Sequence, residues 1–288
     1  MNVQWFPGHM NKTMRLLKEN IKLIDVVIEL VDARIPFSST NPEVKNIIGN
    51  KPKIIALNKY DLSDEKVLKT WENWYSKKNL QYVYINSLTG YGLSNLKEKI
   101  DFLMKDKMER MKKKGIRQKS IRTMIIGIPN VGKSSFINKL GNKNKTKTGD
   151  RPGITRTNQW IRLNDKIEIL DTPGILWPKF EKKFIGLNLA FTGAIKDEIM
   201  DIETLSLELI KKIRSIDSNK LKYRYKIDFK IDETDLEIME MIGKKRGCLI
   251  SKGEIDYNRT ANLLLDDFRS SKIGKFTLET PKDFVVED

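Results

Sequence analysis

The chain has 288 residues, a formal net charge of +16, one cysteine (Cys248) and one histidine (His9). It is long enough for two domains, and it has no run of about 18 apolar residues that would span a membrane. One cysteine excludes an internal disulfide, and a single Cys with a single His argues against a zinc site. The N-terminus lacks the charged start and apolar core of a signal peptide, so we expect a cytoplasmic protein.

The positive charge is concentrated in the first part of the chain. Residues 1–178 carry 33 Lys/Arg and 17 Asp/Glu, whereas residues 179–288 carry 21 of each. This asymmetry favours a polyanionic partner, and the absence of a lipid-binding signature favours nucleic acid over a membrane. The alternative is a basic protein whose charge serves no specific partner.

Strands and helices alternate through the first part of the chain. The predicted elements are a basic helix at 12–22, strands at Val26–Val31, Ile54–Leu57, Tyr82–Ile85, Thr123–Ile126, Gln159–Leu163 and Ile167–Leu170, and helices at 41–49, 64–78 and 91–104. This alternation predicts an α/β fold with a mainly parallel sheet between helices. The segment Lys105–Arg122 has nine basic and two acidic residues. It is either a solvated connector or an RNA contact.

Beyond residue 178 the pattern is helical. Thr234 and Glu237 form a capping box, and Asn258 is a second candidate cap. Apolar residues that recur at helical spacing are Leu205, Leu209, Ile213, Leu236, Met239, Ile242, Ala261, Leu264, Leu265 and Phe268. We therefore predict an α/β domain at 1–178 and an all-helical domain at 179–288.

A phosphate-loop motif follows the strand that ends near residue 126. Gly127–Ser134 fits G-x-x-x-x-G-K-[ST], in which glycines let main-chain N–H groups wrap a phosphate. Lys133 would place its charge near the β/γ bridge, and the Ser134 hydroxyl would bind Mg²⁺. The side-chain carbonyl of Asn130 would coordinate K⁺ between the phosphates, or the residue serves only the turn geometry.

Three further segments complete a guanine-nucleotide site. Asp171–Gly174 has the D-x-x-G pattern, in which Asp171 orients Mg²⁺ through water and the Gly174 N–H senses the γ-phosphate. Thr155 is the candidate switch threonine that caps Mg²⁺. Asn58-Lys59-Tyr60-Asp61 is a base-reading tetrad whose carboxylate would accept two hydrogen bonds from guanine. A main-chain N–H at Asn86-Ser87 would meet guanine O6.

The order of these motifs predicts a circularly permuted GTPase. The base-reading tetrad precedes the phosphate loop, whereas in an ordinary small GTPase it follows. Ile175 stands where many GTPases place a water-orienting glutamine, so intrinsic hydrolysis should be slow and need another group. His9 is a candidate for that group, and the alternative is a surface or structural histidine.

The chain resembles the ribosome biogenesis GTPase A (YlqF-type) family of bacterial circularly permuted GTPases over nearly its whole length. The matching segments are Trp5–Met10, Asp32–Pro36, Asn58–Asp61, Gly127–Ser134, Gly149–Thr155, Asp171–Phe180 and Lys244–Leu249. The resemblance implies nucleotide contacts at Asn58–Asp61, Asn86, Ser87, Asn130, Val131, Gly132, Lys133, Ser134, Ser135 and Gly174. Ser135 stands where relatives often have Thr.

The resemblance also implies a factor that binds a late precursor of the large (50S) ribosomal subunit, through rRNA and ribosomal proteins, hydrolyses GTP there and leaves. We expect GTP/GDP, Mg²⁺ and K⁺ as ligands, no membrane partner, and a monomer off the ribosome. Two other interpretations stay open. One is an RNA-binding scaffold in which nucleotide only stabilises the fold, and the other is a GTPase acting on tRNA or another ligand of basic patches.

Overall fold

The computed structural model describes residues 9–115, 120–141, 159–162, 166–177, 180 and 182–284, with only the backbone of His9, Asn11 and Gln159. The described residues group into two compact units. The first contains the described residues up to 177 together with 279–284, and the second contains 180–278.

A single sheet forms the centre of the first unit. In the described part of the chain its strands are β1 (Val26–Asp32), β2 (Lys53–Asn58), β3 (Gln81–Ile85), β4 (Ile121–Gly127), β5 (Gln159–Arg162) and β6 (Ile167–Asp171), in the order β3-β2-β1-β4-β6-β5. All neighbours are parallel except β5, which pairs antiparallel with β6 at one edge. All seven residues of β1 are buried, as expected for a central strand covered on both faces. The predicted α/β fold with a mainly parallel sheet is confirmed.

Helices cover both faces of this sheet. They are α1 (His9–Asn20), α2 (Pro42–Ile48), α3 (Glu65–Lys77), α4 (Leu93–Lys113) and α5 (Lys133–Leu140). One core cluster includes Leu17 and Val44 against Val27, and the other includes Trp71 against Val31. Val27 and Val31 are four residues apart, so both clusters lie on the same face of β1, and the buried Ile28 and Leu30 point to the other face.

Helix α4 is longer than the sequence pattern predicts. We expected it to end at residue 104, with a basic connector over 105–122, but it continues to Lys113. Its added turns are rich in Lys, Met, Glu and Arg, which lose little rotamer freedom in a helix. The cluster Arg110, Lys112 and Lys113 in the last turn also suits the partial negative charge at a helix C-terminus.

The second unit is built from helices. They are α6 (Lys183–Phe191), α7 (Ile202–Asp217), α8 (Asn219–Tyr225), α9 (Asp235–Arg246) and α10 (Tyr257–Arg269). The Thr234–Glu237 capping box is present, and nine of the ten predicted apolar positions are buried. Leu236 is the exception, because it is 45% exposed. The predicted cap at Asn258 is also wrong, since the Asp256 side chain caps α10 by accepting a hydrogen bond from the Arg259 N–H.

The last described residues return to the first unit. The buried carboxylate of Glu279 accepts hydrogen bonds from the main-chain N–H groups of Phe37 and Ser38 and from the Ser38 hydroxyl. The Trp71 indole donates to the Glu279 main-chain oxygen, and the Phe284 ring stacks on Phe37 with centroids 3.6 Å apart. The predicted boundary assigned this segment to the helical domain, and the structure differs from it there.

None of the helices in the described ranges is long and apolar enough to cross a membrane.

Candidate functional site

The predicted motifs meet where the carboxyl ends of the parallel strands lie side by side. Asn58 ends β2, Asn86 follows β3, Gly127 ends β4 and Asp171 ends β6. These four strands are parallel, so their carboxyl ends lie along the same edge. Ligands of open α/β sheets bind at this edge, and the candidate site is therefore here.

Asn58 joins three of the predicted segments. Its side-chain amide donates to the main-chain oxygen of Val131 over 2.7 Å. Its side-chain oxygen accepts from the Ser87 N–H at 3.0 Å and from the Ser87 hydroxyl at 2.8 Å. A Cβ at Gly132 would lie 2.5 Å from the Asn58 amide nitrogen, and Gly132 also has a φ of +98°. Glycine is therefore required there by both space and backbone conformation.

Lys59 connects the base-reading tetrad to the phosphate loop a second time. Its Nζ donates to the main-chain oxygen of Asn130 over 2.9 Å and lies 3.1 Å from Asp32 Oδ2. Asp32 in turn forms a buried ion pair with Arg34. Our interpretation of the sequence gave no role to Asp32. The signal available for it was an acidic residue at the end of a buried strand, followed two residues later by arginine.

The segment after β3 is held by its own hydrogen bonds. The Asn86 side-chain oxygen accepts from the N–H groups of Leu88 and Thr89, at 2.8 and 2.9 Å. The Ser87 N–H already donates to Asn58. The expected contact of a main-chain N–H with guanine O6 therefore stays a prediction.

Tyr60 and Asp61 lie on a short 3-10 turn, Tyr60–Leu62, directly after Lys59. The Tyr60 ring stacks on Tyr91, with centroids 4.5 Å apart. Asp61 is half-buried, and its contact with guanine stays a prediction.

Lys133 is buried at the start of α5. Its Nζ donates to the main-chain oxygens of Gly127 and Ile128, both at 3.3 Å. Burial lowers the pKa of Lys133 to about 8, and the nearby Asp171 carboxylate opposes that shift. Asn130, earlier in the loop, has a φ of +56°, a conformation that Asn tolerates better than most residues. This φ accounts for Asn130 as a turn residue, and the binding of K⁺ by its side chain stays a prediction.

Asp171 is 1% exposed, and neither of its carboxylate oxygens has a hydrogen-bond partner among the described residues. Burial raises its pKa to about 6, whereas the charge of Lys133 and the adjacent Thr172 main-chain N–H act to lower it. A buried carboxylate that makes no well-formed hydrogen bond to a described residue is suited to a cation or its bound water. The donor set therefore fits Mg²⁺, with the half-buried Ser134 in the first turn of α5.

The D-x-x-G segment packs directly on the phosphate loop. A Cβ at Gly174 would lie 2.8 Å from the Pro129 main-chain nitrogen, so a side chain there would displace one of the two segments. The Ile175 N–H donates to the Gly127 oxygen over 3.1 Å. The Ile175 side chain is buried in the core cluster beside Leu170, so it does not face a bound nucleotide.

The N-terminal helix reaches the same segment. The Leu176 N–H donates to the sulfur of Met10 over 3.2 Å, and Met10 is 1% exposed. This contact anchors the first turn of α1, which begins at His9, next to the residues that follow D-x-x-G. The His9 side chain and all of Thr155 lie outside the described residues.

Known proteins match this chain along its full length. A family model described as 50S ribosome-binding GTPase matches residues 122–247. Ribosome biogenesis GTPase A of Bacillus cereus is 48% identical over all of this chain and 98% of its own length. The protein of that name from Thermotoga maritima is 30% identical over 98% of this chain and 95% of its own length.

Two solved structures resemble this chain over most of its length. The GDP-bound structure of TM YlqF has a TM-score of 0.70 and 27% identity, and covers 93% of this chain and 100% of its own. GNP-bound YlqF from T. maritima has a TM-score of 0.65 and 26% identity, and covers 94% and 99%. Because the chain is 48% identical to the Bacillus cereus protein over its full length and matches a GTPase family model, it is a GTP-hydrolysing enzyme with a guanine-nucleotide site. The chain therefore belongs to the ribosome biogenesis GTPase A family.

Proposed function

We propose that this GTPase acts late in the maturation of the large (50S) ribosomal subunit, and that the subunit stimulates its GTP hydrolysis. The description of the matching family model, 50S ribosome-binding GTPase, supports this partner. So does the net charge of +16, since rRNA is a polyanion. In this proposal the protein is a cytoplasmic monomer that binds rRNA and ribosomal proteins of a large-subunit precursor.

The observation that supports the hydrolytic part of the proposal is the burial of two opposite charges, Asp171 and Lys133, at the phosphate loop. A buried carboxylate without a hydrogen-bond partner among the described residues and a lysine that is largely desolvated both cost folding free energy. Both costs are offset when a cation and a polyphosphate bind, and these are the ligands of phosphoryl transfer.

The base would be bound at the ends of β2 and β3. In our proposal Asp61 reads the guanine edge, and Asn58 holds the tetrad against Ser87 and Val131. The remaining contacts to base and ribose come from Lys59, Tyr60, Asn86 and Ser87.

The phosphates would lie on the loop before α5. The proposed contacts are Asn130, Val131, Gly132, Lys133, Ser134 and Ser135, with Gly174 at the γ-phosphate. Ser134, Thr155 and Asp171 would hold Mg²⁺, which neutralises charge on the β- and γ-oxygens when bound. The Lys133 ammonium would stabilise the charge that develops on the bridging oxygen.

A water-positioning group other than Ile175 is needed, because Ile175 is buried and apolar. We propose His9 for this role. The hydrogen bond from the Leu176 N–H to Met10 supports it, since it fixes the residue next to His9 beside the D-x-x-G segment. For K⁺, the proposed ligand is the Asn130 side chain.

The stage of action is tested by depleting the protein from its host cells and separating the ribosomal particles by sedimentation. We expect large-subunit precursors to accumulate while small subunits stay normal. Wild-type protein should restore the profile, and Asp171→Asn, which keeps the shape of the side chain but not its charge, should not. A normal large-subunit profile after depletion refutes the proposed stage, and full rescue by Asp171→Asn refutes the requirement for hydrolysis.

A further inference from the structure

Asp32 is a buried carboxylate beside the proposed base-reading tetrad. It ends β1, its side chain is 2% exposed, and its register partner in β2 is Asn58. The next N–H, from Ala33, donates to the Asn58 main-chain oxygen over 2.8 Å. The ladder between β1 and β2 therefore fixes the Asp32 carboxylate relative to the start of the tetrad.

Two cations meet this carboxylate. Arg34 makes a bidentate pair, with Nε–Oδ1 at 2.9 Å and Nη2–Oδ2 at 2.7 Å, and Lys59 Nζ lies 3.1 Å from Oδ2. Burial acts to raise the pKa of Asp32, but the charges of Arg34 and Lys59 hold it well below its usual range. Since a bidentate arginine already compensates the buried charge, Lys59 is not needed to keep Asp32 ionised.

The same Lys59 ammonium group reaches the phosphate loop. Nζ donates to the Asn130 main-chain oxygen over 2.9 Å while it contacts Asp32. A lysine side chain is flexible, and ordering it costs conformational entropy. With an anionic partner on one side and a carbonyl on the other, Lys59 is ordered before nucleotide binds.

We propose that Asp32 is a positioning residue for guanine-nucleotide binding, which holds the Lys59 ammonium on the Asn130 carbonyl and so fixes the base-reading tetrad against the phosphate loop. This inference rests on the proposed base-reading role of Asn58–Asp61. Asp32 acts through Lys59 and does not itself contact nucleotide. Without it, the hydrogen bond from Asn58 to Val131 still joins the two loops, but Lys59 loses its anionic partner and nucleotide affinity falls.

A double-mutant cycle on GDP affinity tests this role, with calorimetry on the full-length Asp32→Asn, Lys59→Met and doubly substituted proteins. We expect each single substitution to weaken GDP binding roughly tenfold. The double variant should bind within about twofold of Lys59→Met, because Asp32 has no effect once Lys59 is absent. The proposal is wrong if the loss of GDP affinity in the double variant equals the product of the two single losses. It is also wrong if Asp32→Asn binds GDP as tightly as wild type.

Asp32→Asn leaves Arg34 without its anionic partner, so the same cycle is also measured in an Arg34→Met background. Arg34→Met alone keeps the contact between Asp32 and Lys59, and its GDP affinity should stay within about twofold of wild type. Asp61→Asn is measured alongside. A wild-type GDP affinity in Asp61→Asn refutes the proposed base site itself. If the losses of GDP affinity from the substitutions at 32 and 59 multiply while Asp61→Asn strongly weakens GDP binding, only the positioning role is refuted.

Discussion

The side-chain amide of Asn58 donates a 2.7 Å hydrogen bond to the main-chain oxygen of Val131, 73 residues later in the chain. The proposed base-reading and phosphate-binding segments are therefore in direct contact, although their order is reversed relative to ordinary small GTPases. The parallel sheet explains this, because the ends of β2 and β4 lie on the same edge on either side of β1. A site built at strand ends depends on strand positions in the sheet, and permutation leaves these unchanged.

Guanine specificity should depend on Asp61. Asp61→Asn should weaken GTP binding roughly 100-fold and favour xanthosine triphosphate, because an amide N–H₂ suits the extra carbonyl of xanthine. Asp64→Asn is the matched control, since Asp64 caps α3 and asparagine is an equally good cap. Competition binding with both nucleotides measures the shift. GTP affinity within twofold of wild type in Asp61→Asn would show that the assignment is wrong.

Nucleotide binding should take up protons at alkaline pH. Burial lowers the pKa of Lys133 to about 8, so we expect a substantial share of the free protein to carry a neutral lysine near pH 8. A bound polyphosphate favours the ammonium form and raises that pKa, so GDP binding should take up roughly half a proton at pH 8 and much less at pH 6.5.

Calorimetry in buffers of different ionisation enthalpy measures this uptake. Lys133→Arg is the control, because its guanidinium stays charged and should remove the uptake. If the wild-type protein shows the same binding enthalpy in all buffers at pH 8, Lys133 is already protonated in the free state and the account of its environment is wrong.

The sheet and the proposed site were largely predictable, because their signals are local. Each strand is a short apolar run, and each motif follows the end of one. Helix α4 was underestimated because a basic stretch such as Lys105–Lys113 is equally typical of a solvated connector and of an exposed helix. At the start of α10, both Asp256 and Asn258 are good caps, and only the backbone geometry distinguishes them.

Contacts between residues far apart in the chain were not predictable. Glu279 is 241 residues from Ser38, and no local pattern indicates that its carboxylate accepts hydrogen bonds from that loop. The approach of Lys59 to Asp32 is a similar case, because it depends on the register of β1 against β2. Leu236 shows the reverse error, since its helical spacing fits a core position but its side chain is exposed.

Potassium should accelerate hydrolysis relative to sodium if Asn130 binds a monovalent cation. We expect a roughly tenfold difference in the wild-type protein, which Asn130→Ala should abolish while nucleotide binding is largely kept. Asn130→Gly should behave like Asn130→Ala without the strain of a φ of +56°, and Asn130→Asp should retain the difference because it keeps an oxygen ligand. Equal wild-type rates in the two salts would remove the cation from the mechanism.

The basic end of α4 should contribute to subunit binding. Replacing Lys112, Lys113 and Lys114 by glutamine should weaken binding to large subunits roughly tenfold and flatten its salt dependence, since fewer counterions are released. GTP affinity of the free protein should not change.

Three exposed lysines of α3, Lys66, Lys69 and Lys77, provide the matched control for charge. Their replacement lowers the net charge equally and should leave the salt dependence steeper than in the α4 variant. Equal salt slopes in wild type and the α4 variant would mean that this end of the helix is only solvated.

The most direct test of the central claim is the GTP turnover of the full-length protein alone, with large-subunit precursors and with small subunits. Slow turnover of the free protein is expected, because Ile175 is buried and supplies no group that orients water. Large-subunit precursors should raise the rate at least tenfold, small subunits should not, and Asp171→Asn should abolish the increase. Turnover that is the same with and without large-subunit precursors would contradict the account.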